Sequence, residues 1–176
     1  MKHKDITHTL IKLSNKEIAL YKKVIQINAK KASPNNQLIL NEIHAKYQDI
    51  HNRYAQIACN SIEALKRGLF IQWYTLTEPS YLTGILGLEV KEERKIITEL
   101  KKRIDQKEAD EELLYMLNYY LLWDWVFKPF INIAKFKRSN TEKKIVPNIK
   151  TNNRGQMGMY WNSILKQKQV QNGFRN

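Results

Sequence analysis

The sequence predicts an all-α protein, because its composition and the spacing of its apolar residues both favour helices. The chain has 176 residues, of which 43% are hydrophobic, with six Gly and four Pro. Strands need frequent turn residues, which are scarce here, whereas apolar residues recur at steps of three and four that place them on one helix face. We expect an elongated bundle of four main helices over residues 1–134 and a basic, partly irregular tail over residues 135–176.

The first predicted helix extends from Ile6 to Ile27. Its apolar residues keep three-and-four spacing along the whole stretch, and Glu17 is the residue that interrupts the stripe with a charge. This helix is expected to form one arm of a long antiparallel hairpin with the helix that follows.

The second predicted helix begins after Ser33, because a serine side chain caps a helix and the following Pro34 fits the first helical position. Apolar residues then continue at helical spacing from Leu40 to Trp73, so this helix is expected to run unbroken to about Thr75. At 1.5 Å per residue it would be roughly 60 Å long. Its far half would need cover, either from another helix or from self-association into a homo-oligomer.

The last two predicted helices follow a break at residues 77–80, where Thr-Glu-Pro-Ser interrupts the pattern. Helix three is expected over residues 90–106. Asp110 is a good N-cap for helix four, which is apolar nearly all round over residues 113–127 and ends or kinks at Pro129. Such a helix must be covered, so we expect it to pack on helix two in a shared core of Leu65, Leu69, Leu117, Leu121 and Trp123.

Charge divides the chain into three parts. Residues 1–31 carry eight Lys against two acids, residues 32–134 carry 12 cations against 14 acids, and residues 135–176 carry ten cations against one acid. The two ends therefore account for the net charge of +13. A basic flank of this kind attracts phosphate, acidic protein or anionic lipid.

The basic tail is the predicted binding site. Its cations alternate with aromatic side chains, the combination that sequence-tolerant single-strand binding needs for phosphate contacts and base stacking. The first hypothesis is thus a non-enzymatic module that binds RNA or single-stranded nucleic acid, helped by Lys22, Lys23, Lys30 and Lys31 of helix one. The predicted binding residues are Lys135, Lys137, Arg138, Lys143, Lys144, Lys150, Arg154, Tyr160, Trp161, Lys166, Lys168 and Arg175.

The same tail supports a second hypothesis, an adaptor, inhibitor or assembly subunit that recognises an acidic protein. Its apolar residues could anchor the tail on a partner. These residues are Met157, Met159, Trp161, Ile164 and Leu165.

A third hypothesis is a small helical enzyme built on the aromatic residues. Trp and Tyr give apolar walls with polar tips, and two carboxylates lie beside them in sequence. The same residues also fit a wide core, which is the interpretation we favour. The candidate pocket comprises Trp73, Glu78, Tyr120, Trp123 and Asp124.

No other catalytic or metal-binding pattern is present. His44 and His51 are two helical turns apart, roughly 10 Å, which is too far for one metal ion, and Cys59 is not spaced to form a catalytic pair with either. We therefore predict no metal and no cofactor, and the sequence leans against an enzyme.

The chain also favours a cytoplasmic location. Cys59 is the only cysteine, so it is expected to be a buried thiol in a reducing compartment, and the N-terminus lacks a secretory pattern. Residues 113–127 contain Asp124 and fall short of the roughly 20 apolar residues that a helix needs to span a bilayer. A membrane partner is therefore unlikely, with an interfacial membrane segment as the alternative for these residues.

Overall fold

The computed structural model describes residues 3–29, 33–137 and 147–173. Within these ranges the chain forms seven α-helices, two 3₁₀ segments and no strand, which confirms the all-α prediction. The α-helices are α1 (His3–Asn28), α2 (Pro34–Ile57), α3 (Ile62–Thr77), α4 (Ser80–Thr83), α5 (Val90–Asp105), α6 (Glu111–Tyr120) and α7 (Gly155–Gly173). The 3₁₀ segments are Ala58–Asn60 and Asp124–Phe130.

The prediction of one long second helix is wrong. The chain leaves the helix after Ile57, and Ser61 adopts an extended conformation in which its hydroxyl accepts a hydrogen bond from the Ala64 N–H at 3.2 Å. That side chain caps a new helix, α3, which folds back on α2. The uncovered half of a 60 Å helix, which motivated self-association, therefore does not exist.

Helix α3 lies at the centre of the core because a glycine allows close packing. A Cβ atom built on Gly68 would lie 3.5 Å from the Cβ of Tyr54 on α2 and 2.6 Å from the Cδ1 of Ile96 on α5. A larger side chain at this position would push the three helices apart. Helix α1 packs against α2, α4 and α7.

The starts of α2 and α6 follow local capping signals. Ser33 and Pro34 start α2 as predicted, α5 ends one residue before its predicted end, and the Asp110 carboxylate accepts the Leu113 N–H at 2.8 Å to start α6. Helix α6 ends at Tyr120, earlier than predicted, and the chain continues into a 3₁₀ segment that contains Pro129. Of the predicted shared core, Leu65, Leu69, Leu117 and Leu121 are buried and Trp123 is half-buried.

Cys59 lies in the 3₁₀ turn between α2 and α3 and is exposed. The prediction of a buried thiol is therefore wrong, because the helix that was expected to bury it ends two residues earlier. In the three described ranges, no helix is both long enough and apolar enough to cross a bilayer.

The C-terminal region packs on the body of the protein. Ile149, Met157 and Trp161 are buried in the same core as the α1, α3 and α6 side chains. Helix α7 (Gly155–Gly173) forms within the region that the sequence predicted as a partly irregular tail. The division into a bundle and a tail at residues 134 and 135 stays a prediction, and these contacts cross it.

Candidate nucleic-acid interface

Arg154, a predicted binding residue, is only 4% exposed and is held between two carboxylates. Its Nε and Nη2 atoms donate to Glu63 at 2.8 and 2.5 Å, and its Nη1 and Nη2 atoms donate to Glu112 at 2.5 and 3.2 Å. Nη1 also donates to the Lys150 carbonyl at 2.6 Å. A guanidinium has five N–H donors, and these five bonds use them all. Arg154 has no donor left for a phosphate.

The same carboxylates belong to a longer chain of alternating charges between α3, α6 and the segment before α7. Lys66, 4% exposed, bridges Asp110 at 2.7 Å and Glu112 at 2.5 Å, while Arg67 donates to Glu63 at 2.6 Å. Three cations therefore meet three acids, and the chain is neutral. The three cations are buried or nearly so and each is paired, and a polar network whose members are satisfied helps to hold the helices in one packing arrangement. The members of this network, in order, are Asp110, Lys66, Glu112, Arg154, Glu63 and Arg67.

The first turn of α7 is captured by two side chains of α1. The Gly155 N–H donates to the Ser14 hydroxyl at 2.8 Å, and the Gln156 N–H donates to the Glu17 carboxylate at 3.0 Å. A carboxylate near a helix N-terminus satisfies free N–H groups and interacts well with the helix dipole. Gly155 has φ +56°, and a Cβ atom there would collide with the Glu17 carboxylate. The glycine is thus required by this contact.

Glu17 is the charge that interrupted the predicted apolar stripe, and it is 1% exposed. Its Oε1 atom also accepts the Tyr54 hydroxyl at 2.5 Å. Burial raises the pKa of Glu17 from 4.5 to about 7, although hydrogen bonds from Tyr54 and Gln156 and the nearby Arg67 charge oppose this shift. Near neutral pH this carboxyl therefore changes its charge inside the core.

Replacing Glu17 with Gln should remove one component of the pH dependence of stability. Because the folded-state pKa of about 7 lies above 4.5, the folded protein binds more protons between these values. The stabilisation from Glu17 is complete below pH 4.5 and is lost as the pH rises through 7. Between pH 5 and pH 8, the wild type should lose about 2–3 kcal/mol of unfolding free energy relative to Glu17→Gln.

Urea denaturation of both proteins at several pH values measures that difference. Other titrations, such as that of the buried His51, are common to both proteins and cancel. A difference that stays constant from pH 5 to pH 8 would contradict the shifted pKa of Glu17.

The candidate aromatic pocket is filled by aromatic rings of the protein itself. Trp73 stacks on Tyr120 with ring centroids 4.7 Å apart and meets Trp123 edge-on at 5.3 Å. The tail supplies two further rings: Trp161, fully buried, donates its indole N–H to the Tyr120 hydroxyl at 3.1 Å, and Tyr160 lies 5.3 Å from Trp73. These rings form part of the core. Trp161 has no face free for base stacking.

The other residues of the candidate pocket lie at its margin or outside the described part. Glu78 follows the last turn of α3, where its N–H donates to the Tyr74 carbonyl at 3.0 Å, and it is half-buried. The side chain of Asp124 is outside the described residues.

The remaining predicted tail residues divide into two groups. Lys135, Lys137, Lys150 and Lys166 are exposed, and Tyr160 is half-buried with its hydroxyl 2.7 Å from that of Tyr119. Outside the described residues lie Arg138, Lys143, Lys144, Arg175 and the side chain of Lys168, as do Lys30 and Lys31 of the N-terminal segment.

A larger set of exposed cations lies on α1, and we call it the lysine stripe. At 100° per residue its members fall within an arc of about 120° on the face opposite the buried residues, over a length of about 28 Å. Asp5 is the one exposed acid on this helix, because Glu17 points into the core. The lysine stripe comprises Lys4, Lys12, Lys16, Lys22 and Lys23, all exposed.

The lysine stripe differs from the other lysine-rich helix, α5, in having no ion-pair partner among the described residues. On α5, Lys95 pairs with Glu92, Lys101 with Asp105 and Lys102 with Glu99. Among the residues that the structure describes, no ion pair involves a lysine of the stripe. Three lysines of α5 are thus paired within their own helix, while the lysines of the stripe face solvent.

No protein-family model, no curated protein and no solved structure matches the chain. Its function is therefore argued from its own residues.

Of the lysine stripe, only Lys22 and Lys23 were predicted from the sequence as binding residues. The spacing of lysines and acids along the sequence could have indicated the whole stripe. None of the five lysines has an acid three or four residues away, whereas each of the paired lysines of α5 has one.

The two histidines of α2 offer no metal site. His51 is fully buried, and neither ring nitrogen has a hydrogen-bond partner in the described part of the chain. Burial lowers the pKa of His51 to about 4 and lowers that of His44 as well. The described residues contain no group of three or more potential metal ligands.

Proposed function

We propose that this protein binds the phosphate backbone of nucleic acid, RNA or a single strand, through the lysine stripe of α1. The observation that carries the proposal is the row of five exposed lysines along about 28 Å of one helix, none of which forms an ion pair with any residue in the described part of the chain. When lysines without ion-pair partners neutralise phosphates, the nucleic acid releases the counterions condensed on it. This release drives binding that does not depend on base sequence. A cytoplasmic site of action belongs to the same proposal.

The residues between the lysines favour nucleic acid over an acidic protein. His8, Asn15 and Ala19 occupy the same exposed face, and Asn joins Lys among the usual phosphate-contacting side chains. Protein interfaces instead concentrate their binding energy in Trp, Tyr and Arg and are depleted in Lys. The stripe contains no aromatic residue and no Arg.

The buried C-terminal residues change the expected mode of binding. Arg154 and Trp161 form hydrogen bonds in the core, so they are not available for phosphate contact or base stacking. Exposed tail lysines such as Lys135 and Lys150 remain as auxiliary contacts. Binding through phosphates alone is expected to depend strongly on salt and weakly on base sequence.

Neutralising three lysines of the stripe tests the proposal. The variant Lys12→Gln/Lys16→Gln/Lys23→Gln should bind a 20-nucleotide single-stranded RNA at least about tenfold more weakly than the wild type at low salt. The slope of log affinity against log salt should become about 2 units shallower, since each single-strand phosphate contact contributes about 0.7. Fluorescence anisotropy of a labelled RNA measures both quantities.

The matched control is Lys95→Gln/Lys101→Gln/Lys102→Gln on α5. It changes the net charge by the same amount but removes lysines that are already paired. Equal losses in the two variants would show that only net charge matters and would contradict the stripe as the binding surface. No binding by the wild type, with one acidic protein copurifying in fixed ratio, would favour the adaptor hypothesis instead.

A further inference from the structure

A second exposed surface, distinct in composition from the lysine stripe, follows α6. Leu122, Trp125 and Ile131 are 48%, 45% and 54% exposed, although they are large apolar residues. On the other side of the same segment, Val126, Phe127 and Phe130 are buried, and this anchors the backbone to the core. We call the three exposed residues the apolar row.

The apolar row is fixed in place by the 3₁₀ segment Asp124–Phe130. Side chains three residues apart eclipse one another in a 3₁₀ helix, so Trp125 and Lys128 share a face and Ile131, at the C-cap, continues it. The Trp125 ring is therefore presented to solvent by the backbone geometry.

Exposed lysines accompany the apolar row. Lys128 lies between Trp125 and Ile131, and Lys135 and Lys137 follow within six residues. Asp124 is the only acidic residue from 122 to 137. Long lysine side chains can lie along apolar surface while their charges remain in a polar layer.

The apolar row is too small for a standard protein interface. Half-exposed side chains of this size offer about 100 Å² each, or about 300 Å² together, whereas a stable interface buries about 800 Å² per partner. A second copy of the chain is further disfavoured because it would bring lysines against lysines. Binding to a membrane surface does not require so large a contact area. A few apolar residues that enter the headgroup layer are enough when basic residues add attraction to anionic lipids.

We propose that the apolar row is a peripheral contact site for an anionic lipid bilayer. Leu122, Trp125 and Ile131 enter the headgroup region, where tryptophan is favoured, and Lys128, Lys135 and Lys137 face anionic headgroups. This contact goes beyond the proposed nucleic-acid function and does not depend on it. It is an interfacial contact and does not cross the membrane.

Cosedimentation of the full chain with vesicles tests the site. The wild type should bind phosphatidylcholine vesicles that contain about one third phosphatidylglycerol and should bind pure phosphatidylcholine vesicles far more weakly. Trp125→Ala/Ile131→Ala should lower the affinity for the anionic vesicles at least about tenfold, since membrane binding scales with the apolar area inserted. The matched control, Leu38→Ala/Tyr81→Ala, removes exposed side chains elsewhere (65% and 56%) and should change the affinity less than about twofold.

A conservative variant gives a second readout. Trp125→Phe keeps an apolar ring, so it should still bind the vesicles, but the quenching of tryptophan fluorescence by brominated lipids should be lost. Retained quenching would overturn the proposal, because another tryptophan would then be the one in contact with lipid.

Three other results would also overturn it. The first is that the wild type does not bind anionic vesicles. The second is that Trp125→Ala/Ile131→Ala and its control lose the same amount of vesicle affinity. The third is that vesicle binding is lost only when the lysine stripe is neutralised. If Trp125→Ala weakens binding to single-stranded RNA and leaves vesicle binding unchanged, the row is a base-stacking site instead. Because vesicles and RNA are separate probes, failure here is distinguishable from failure of the proposed function.

Discussion

Replacing Trp161 with Ala should lower the free energy of unfolding by about 3–5 kcal/mol, the usual cost of removing a fully buried aromatic side chain. Trp161 has no exposed surface and packs against Tyr115, Tyr119 and Tyr120. Its removal would leave a cavity and deprive the buried Tyr120 hydroxyl of a donor. Chemical denaturation monitored by circular dichroism measures the loss.

The control for Trp161 is Met159 on the same helix, which is 46% exposed. Met159→Ala should change the unfolding free energy by less than about 0.5 kcal/mol. If both variants are as stable as the wild type, α7 is not part of the core and the C-terminal region is the independent tail that the sequence predicted. In that case removal of residues 135–176 would also leave the fold intact.

Replacing Arg154 with Met should cost about 3–5 kcal/mol, because it leaves the network with three acids and only two cations and removes the hydrogen bonds to two half-buried carboxylates. Glu63 and Glu112 both accept hydrogen bonds from Arg154. Although burial raises the pKa of Glu63, Arg154 and Arg67 outweigh that effect and hold it below its usual value. Loss of Arg154 should therefore raise the pKa of Glu63 and reduce stability at neutral pH more than at pH 4.

Lys166→Met is the matched control for Arg154→Met. Lys166 is exposed on α7, so its replacement removes the same charge and should leave stability almost unchanged. Equal stability of the Arg154→Met variant and this control would show that Arg154 is solvated and free to bind a ligand.

Local signals in the sequence predicted much of the secondary structure. The Ser33-Pro34 start of α2 and the Asp110 cap of α6 each depend on a few neighbouring residues, and such residues act through hydrogen bonds within one turn. The bounds of α5 were predicted from its apolar spacing to within one residue. The break at Ser61 was missed because the apolar spacing continues through it from Ile57 to Leu65. Periodicity alone cannot tell a continuous helix from two helices that bury the same side.

The role of the C-terminal residues depends on distant partners. Arg154 meets Glu63 and Glu112, which are 91 and 42 residues away in sequence, and no local pattern announces such pairs. A basic segment with aromatic residues therefore resembled a binding tail. The lysine stripe is different, because helical spacing and the absence of acids at three and four residues can both be read from the sequence.

The central claim, that nucleic acid lies along α1, is tested most directly by identifying the lysines that a bound strand protects. Acetylation of the free protein and of its complex with a 20-nucleotide single-stranded RNA, followed by peptide mass spectrometry, gives the change in reactivity at each lysine. We predict strong protection of Lys12, Lys16 and Lys23 and little change at Lys101 and Lys102, which are paired on α5. Protection confined to the tail lysines of residues 135–168, or no protection at any lysine of α1, would contradict it.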